Sequence, residues 1–343
     1  MGFRKYIRSS LLLTAWAATL TTASAATLFS VQQRWKIGGE GGWDHLTADP
    51  AYHRLYVTRS DRVTVVDTGT GEPLAEIAGS GNLHSVCLDR KGKYGYITDG
   101  ASNAVRVFER ATLRIVASLA TGMNPDGAVF DAVSQSVFVF NDRSRSATVI
   151  DASSNTVAST IQLPGKPAGA AADEHGSLFV ALQDRGRIAR LDTRARALAA
   201  SWPVEGCVGP NGVAIDKERE RIYTVCENNE LAMLDSSKGN LLTALKLSEG
   251  AREVVFDPQR NLIFAVNAAG TLTVAREASP RQLAILQTVK TQAGARTLAL
   301  DSVTQRIYLA TAQFGLRTRE TSEELLFRPT PVPATFVVLV VGD

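Results

Sequence analysis

The stretch Arg54-Leu-Tyr-Val-Thr-Arg-Ser-Asp-Arg-Val-Thr-Val-Val-Asp-Thr-Gly-Thr-Gly71 contains two β-rich runs parted by a polar turn, and it ends in a second turn. β-Branched and aromatic residues favour pleated strands, while the Asp67 carboxylate can accept backbone N–H groups and the glycines supply positive φ. Working outward, Leu74-Ala-Glu-Ile77 adds a further strand, and an apolar run closed by Asp49 precedes the stretch. One unit is thus four short strands in roughly forty residues, a length typical of a propeller blade.

The unit recurs. An Asp closes an apolar run at Asp49, Asp89, Asp131, Asp173, Asp216, Asp257 and Asp301, with spacings of 40, 42, 42, 43, 41 and 44 residues. A β-rich run follows each, placing an aromatic ring at the same point seven times: Tyr56, Tyr96, Phe138, Phe179, Tyr223, Phe264 and Tyr308. Because the surrounding runs are apolar, these rings are expected to wedge between neighbouring sheets as core. Seven four-stranded units without an amphipathic helix between them predict an all-β, seven-bladed β-propeller with antiparallel strands.

The seventh unit is short of one strand, since the chain ends at Thr335-Phe-Val-Val-Leu-Val-Val-Gly-Asp343. Residues around Val31 to Ile37 resemble the fourth strand of other units, so the N-terminal strand is expected to pair in the last blade and remove its open edge. Residues 313–334 interrupt that blade between its second and third strands and are too long for a simple hairpin turn; a flap over one face is the expectation.

With 343 residues, 45% apolar and 21% charged, the chain can bury a large core and is neither disordered nor collagen-like. Residues 1–25 differ from the rest. Arg4, Lys5 and Arg8 precede the apolar run Leu11 to Leu20, and Ala23-Ser24-Ala25 has the form of a signal-peptidase site. A cleaved leader, a single domain over 26–343 and a periplasmic or secreted location are expected. No later stretch is apolar for long enough to span a bilayer. The leader holds three of the 37 basic residues and none of the 34 acidic ones, leaving 34 of each. A neutral mature domain has no bulk field for a phosphate backbone, which argues against nucleic-acid binding. Three cysteines without a CxxCH motif argue against a c-type haem, and no cofactor is expected. Cys207 and Cys226 both fall in blade five and are candidates for a disulfide; Cys87 lies in an inner strand and reads as buried and inert.

The Arg-Leu-Tyr-Val-Thr, Val-Thr-Val-Val-Asp-Thr and Thr-Gly strings, with entries such as Pro210-Asn-Gly-Val-Ala-Ile-Asp216, resemble the YVTN-repeat propellers, particularly the YncE-like exported proteins. The resemblance spans essentially all the mature chain. It implies a periplasmic β-propeller, and related propellers occur as subunits or domains of redox enzymes and as lactonases. Its motifs concern packing and turns, so activity does not follow from them.

Turns entering the inner strands of a propeller gather around one mouth of the channel, the default ligand site. The residue five before each closing Asp gives the ring Asp44, His84, Asp126, Ala168, Asn211, Arg252 and Arg296. The ends of the second strands give a companion ring on the same face: Arg59, Asp99, Asn141, Leu182, Cys226, Asn267 and Thr311. Arg252 and Arg296 form a cationic sector suited to an anion, opposite the acidic sector of Asp44, Asp99 and Asp126 with His84. Alternatively these charges pair internally, Arg252 with the adjacent Glu253 for example. Asp44, His84, Asp126, Asn211, Arg252 and Arg296 are the candidate ligand-binding residues, while His45 and His175 read as loop or packing residues and His53 as an exposed turn residue.

The function expected is therefore a non-catalytic, monomeric binding or scaffold module for a small anionic molecule or a protein partner. Two other readings stay open. One is a metal-assisted lactonase or hydrolase using His84 with Asp126 or its neighbours; the other is an accessory subunit of a periplasmic redox complex.

Overall fold

The computed structural model describes residues 1–2, 28–90, 92–319 and 326–343; all but two residues of the expected leader lie outside them. Seven four-stranded antiparallel sheets form the blades of a propeller. Blade one runs from its inner strand Trp43–Asp49 through Arg54–Arg59 and Arg62–Asp67 to the outer strand Pro73–Ala78. The inner strands of blades two to seven are Leu83–Leu88, Pro125–Asp131, Pro167–Ala172, Pro210–Asp216, Ala251–Asp257 and Leu298–Leu300.

All seven closing Asp residues cap the turn that follows them. Asp89, for instance, accepts the amides of Lys93 and Tyr94, and Asp216 those of Glu218 and Arg219. Asp67, Asp151, Asp192 and Asp235 do the same after the third strands, each accepting two backbone N–H groups. A carboxylate satisfying several turn amides explains why the repeat is punctuated by Asp at two positions.

The core lies between blades. Tyr56 packs with Leu83, Val86 and Ile97 of blade two, Phe138 with Leu178 and Val180 of blade four, and Tyr308 with Leu46 and Leu55 of blade one. The seven rings are at most 1% exposed and sit in seven different clusters, each spanning two adjacent blades. Full burial of such a side chain contributes on the order of 2–3 kcal/mol.

Blade seven is closed by both termini. Ser30–Lys36 pairs antiparallel with Val337–Gly342, which in turn pairs with Ile307–Thr311. Trp35 of this strand is buried, stacks against Tyr308 with ring centroids 5.3 Å apart, and covers Gly71 in the blade-one turn. Gly71 has φ of 79°, and a Cβ there would stand 2.3 Å from the indole. Both the turn and the overlying ring exclude a side chain. The inserted segment of blade seven contains a pair of antiparallel strands, Phe314–Arg319 against Leu326–Pro331. Residues 320–325 at its tip lie outside the described residues. At its base the Phe314 ring lies 5.9 Å from that of Trp43.

Trp35→Ala should destabilise the protein by about 3–5 kcal/mol in urea unfolding, the usual cost of removing a buried Trp. Removal of residues 28–37 should abolish the cooperative melt altogether. A truncated chain that melts with the full chain's midpoint would show that the ring does not depend on this strand.

Candidate functional site

The entry residues of six of the seven inner strands converge on one channel mouth. Asp44, Asp126, Ala168, Asn211, Arg252 and Arg296 all line a cavity of about 460 Å³, with residues from all seven blades contributing. His84 stands just behind this wall, its Nδ1 2.8 Å from Asp44 Oδ2 and 3.5 Å from Asp126 Oδ1.

The strand entries carry β-bulges. In blade one, Trp43 pairs with Arg59 and Leu46 with Val57, so that Asp44 and His45 together oppose Thr58. The same two-against-one register occurs in blades two to five. A bulge re-aims side chains that strict alternation would send to opposite faces. A second ring consequently reaches the cavity: His45, Ser85, Gly127, Gly169, Gly212, Glu253 and Thr297. Three consecutive glycines leave the wall bare at blades three to five, and a Cβ on Gly212 would stand 2.8 Å from Glu253 Cα.

His45 is therefore a channel residue, which corrects the reading of it as loop or packing. Its Nδ1 lies 3.0 Å from Glu253 Oε1, and its Nε2 3.9 Å from Asp44 Oδ1. Burial disfavours its charged form, yet Glu253 and Asp44 more than offset this and raise its pKa to about 10. Although 32% of the side-chain surface still borders the channel, the carboxylates hold the imidazole protonated at neutral pH. His84 is also raised, burial being outweighed by its bond to Asp44. Asp44 is lowered because the two histidines overcome its burial, whereas burial pushes Asp126 up. The signal for His45 was present in the sequence as one His and one Glu at a repeat position otherwise held by Gly, Ser and Thr.

Glu253 does not pair with Arg252. Its Oε1 faces His45 and its Oε2 accepts the amide of Leu298. Arg252 instead lies 3.7 Å from Glu227, both side chains nearly half exposed, so this pair contributes little. Arg296 has no carboxylate partner among the described residues. Its Nη2 donates to the Trp43 carbonyl at 2.7 Å, and the guanidinium lies 5.5 Å from the Trp43 ring centroid.

The companion ring does not share the mouth. Its seven residues are at most 1% exposed, and none lines the cavity. Six of them are paired across from the start of the inner strand, and Thr311 is paired with Val337 on the other side of its strand. Arg59 donates to the carbonyls of Gly38, Glu40, Gly41 and Gly42 and covers Phe336. Asn141 bridges Ser146 and Thr148, and Asn267 bridges Thr271 and Thr273. Cys226 is joined to Cys207, with Cα atoms 5.4 Å apart. Cys87 is free and buried, its thiol pushed up to about 12 by desolvation. His53 and His175 are exposed in turns. Asp99 is the one acid of the expected sector that is absent from the mouth: it binds Arg106 at 2.7 Å and the amides of Ser80 and Ser102.

No family model and no curated protein matches the chain. Solved structures do. The chain is similar to the RRP9 WD40 repeats, with a TM-score of 0.76 at 13% identity over 90% of this chain and 96% of that one. It is also similar to a chain of Kuenenia stuttgartiensis hydrazine synthase, with a TM-score of 0.71 at 15% identity over 78% and 92% of the two chains. A third is a chain of the mitotic checkpoint complex, at 0.72 and 12% over 88% and 96%. At such identities the likeness establishes the fold alone, a seven-bladed β-propeller. Among the described residues no helix is long and apolar enough to cross a membrane.

Burial raises the pKa of Asp99, but the Arg106 guanidinium and two backbone amides outweigh it and leave the pKa below the ordinary aspartate value. The resulting stability is complete above that value and lost as pH falls through the lower folded pKa. Asp99→Asn should therefore lower the melting temperature at pH 7 and narrow its gap to wild type in strong acid; a gap independent of pH would refute this.

Proposed function

We propose that the chain is an exported YVTN-type propeller that binds a small anionic molecule at its channel mouth without chemical transformation. The observation that carries this reading is Arg296. A guanidinium exposed to a concave cavity, oriented by a backbone carbonyl and an indole face and free of a carboxylate partner among the described residues, presents donors suited to a carboxylate or phosphate. Asn211 and the half-exposed Arg252 add donors around the same cavity.

Export is supported by the basic and apolar leader with its Ala23-Ser24-Ala25 site and by the joined Cys207 and Cys226, a pairing that persists in an oxidising compartment. A mature chain of balanced charge fits a local anion site better than a polyanion-binding surface. His84 is poorly placed as a general base, since Asp44 holds its Nδ1 and Asn82 lies 2.9 Å from its Nε2.

Calorimetric titration with inorganic phosphate and a panel of small carboxylates tests the site. A ligand bound through the Arg296 guanidinium should lose about tenfold to a hundredfold in affinity in Arg296→Ala, since hydrogen bonds to charged groups contribute about 1.5–3 kcal/mol. Equal affinity in the variant, or binding of none of these anions by the wild type, would remove the support for an anion-binding mouth.

A further inference from the structure

We infer that Asp44, His45 and Asp126 form a binding site for one divalent transition-metal cation of the zinc class, with Glu253 and His84 as the groups that orient its ligands. One donor atom from each of the three residues lies within 4.8 Å of the others. Ligands at about 2.1 Å from a common ion stand at most about 4.2 Å apart, so small side-chain rotations close the site.

The independent observation is the arrangement behind these atoms. A metal-ligating histidine characteristically gives its other ring N–H to a carboxylate, which fixes the tautomer and raises ligand basicity. His45 meets this condition. Nδ1 is engaged by Glu253 Oε1, while Glu253 Oε2 is itself fixed by the Leu298 amide, and Nε2 is left facing Asp44 Oδ1. Asp44 is oriented similarly, because His84 occupies Oδ2 and leaves Oδ1 without a hydrogen-bond donor among the described residues. The Asp126 carboxylate also has none within hydrogen-bond distance, with His84 Nδ1 nearest at 3.5 Å. Asp44, His45 and Asp126 thus each bring one ligand atom to the same space, while Asp44 Oδ2 and His45 Nδ1 are held from behind by His84 and Glu253.

Three carboxylates, Asp44, Asp126 and Glu253, gather here around two imidazoles. One imidazole with two carboxylates suits zinc-class ions better than calcium or magnesium, which favour oxygen donors alone. Three protein ligands leave coordination positions open toward the cavity. The inference goes beyond the anion-binding reading and does not depend on it.

The test uses the purified protein, stripped with chelator and dialysed against zinc in a non-coordinating buffer, with bound metal measured by plasma mass spectrometry. One zinc per chain is expected. His45→Gln and Asp126→Asn should each abolish stoichiometric binding, and Glu253→Gln should weaken it by about 10- to 100-fold. His53→Ala, which removes an exposed histidine far from the mouth, should change nothing. Cobalt(II) loaded in place of zinc should give a visible d–d band that His45→Gln eliminates. Melting curves confirm that each variant is folded, and the near-isosteric Asp126→Asn keeps the test decisive should His45→Gln fail. Arg296→Ala should retain zinc while losing anion binding, so the two readings fail separately. Zinc stoichiometry unchanged in both Asp126→Asn and His45→Gln, or only several weak equivalents with no cobalt band, would overturn the site.

Discussion

The pairing of Ser30–Lys36 with Val337–Gly342 is the constraint on which the molecule depends. A propeller stores its apolar contacts between blades, so each sheet is held by two neighbours and an open ring would leave two faces and a strand edge in water. Joining the termini inside one sheet supplies that edge with backbone partners and places Trp35 over the turn of the next blade. The seam is also where the mouth is built. Arg296 and Thr297 of blade seven donate to the carbonyls of Trp43 and Asp44 in blade one, and Glu253 of blade six reaches across to His45.

Within that closed ring, one structural position is solved by different chemistries. The residue ending each second strand lies beneath the loops of the mouth, and those loops carry backbone groups that need partners away from water. Arg59 satisfies four carbonyls, Asp99 two amides and a guanidinium, and Thr311 the carbonyl of Ala293, while Cys226 makes a covalent link to Cys207. Charged and polar residues that read as functional from their pattern are here fastening loops. What remains for ligands is the strand-entry position and its bulged neighbour.

The mouth is less polarised than its sequence suggests. Its carboxylates are balanced at short range by His45 and His84, and Arg252 is held loosely by Glu227, so Arg296 is left as the group whose charge is least compensated. In a concave space with limited solvent, local compensation of this kind decides which charges can act on a ligand far more than the formal count does.

The sequence by itself determined the architecture. The Asp punctuation at intervals of 40 to 44 residues, the aromatic ring in every unit and the missing outer strand of the last one specify seven blades and their closure, because turn capping and strand packing are local or nearest-neighbour effects that each repeat encodes for itself. The strand-entry ring was legible for the same reason. Only the tertiary structure decided the roles at the mouth: that His45 faces the channel through a β-bulge, that Glu253 crosses to it and forgoes its neighbour Arg252, and that Asp99 turns inward to Arg106. The first two join blades far apart in sequence or rest on a one-residue register shift that reverses which face a side chain takes, which no local pattern carries; Asp99 and Arg106, seven residues apart, meet through the pairing of two neighbouring strands of one blade.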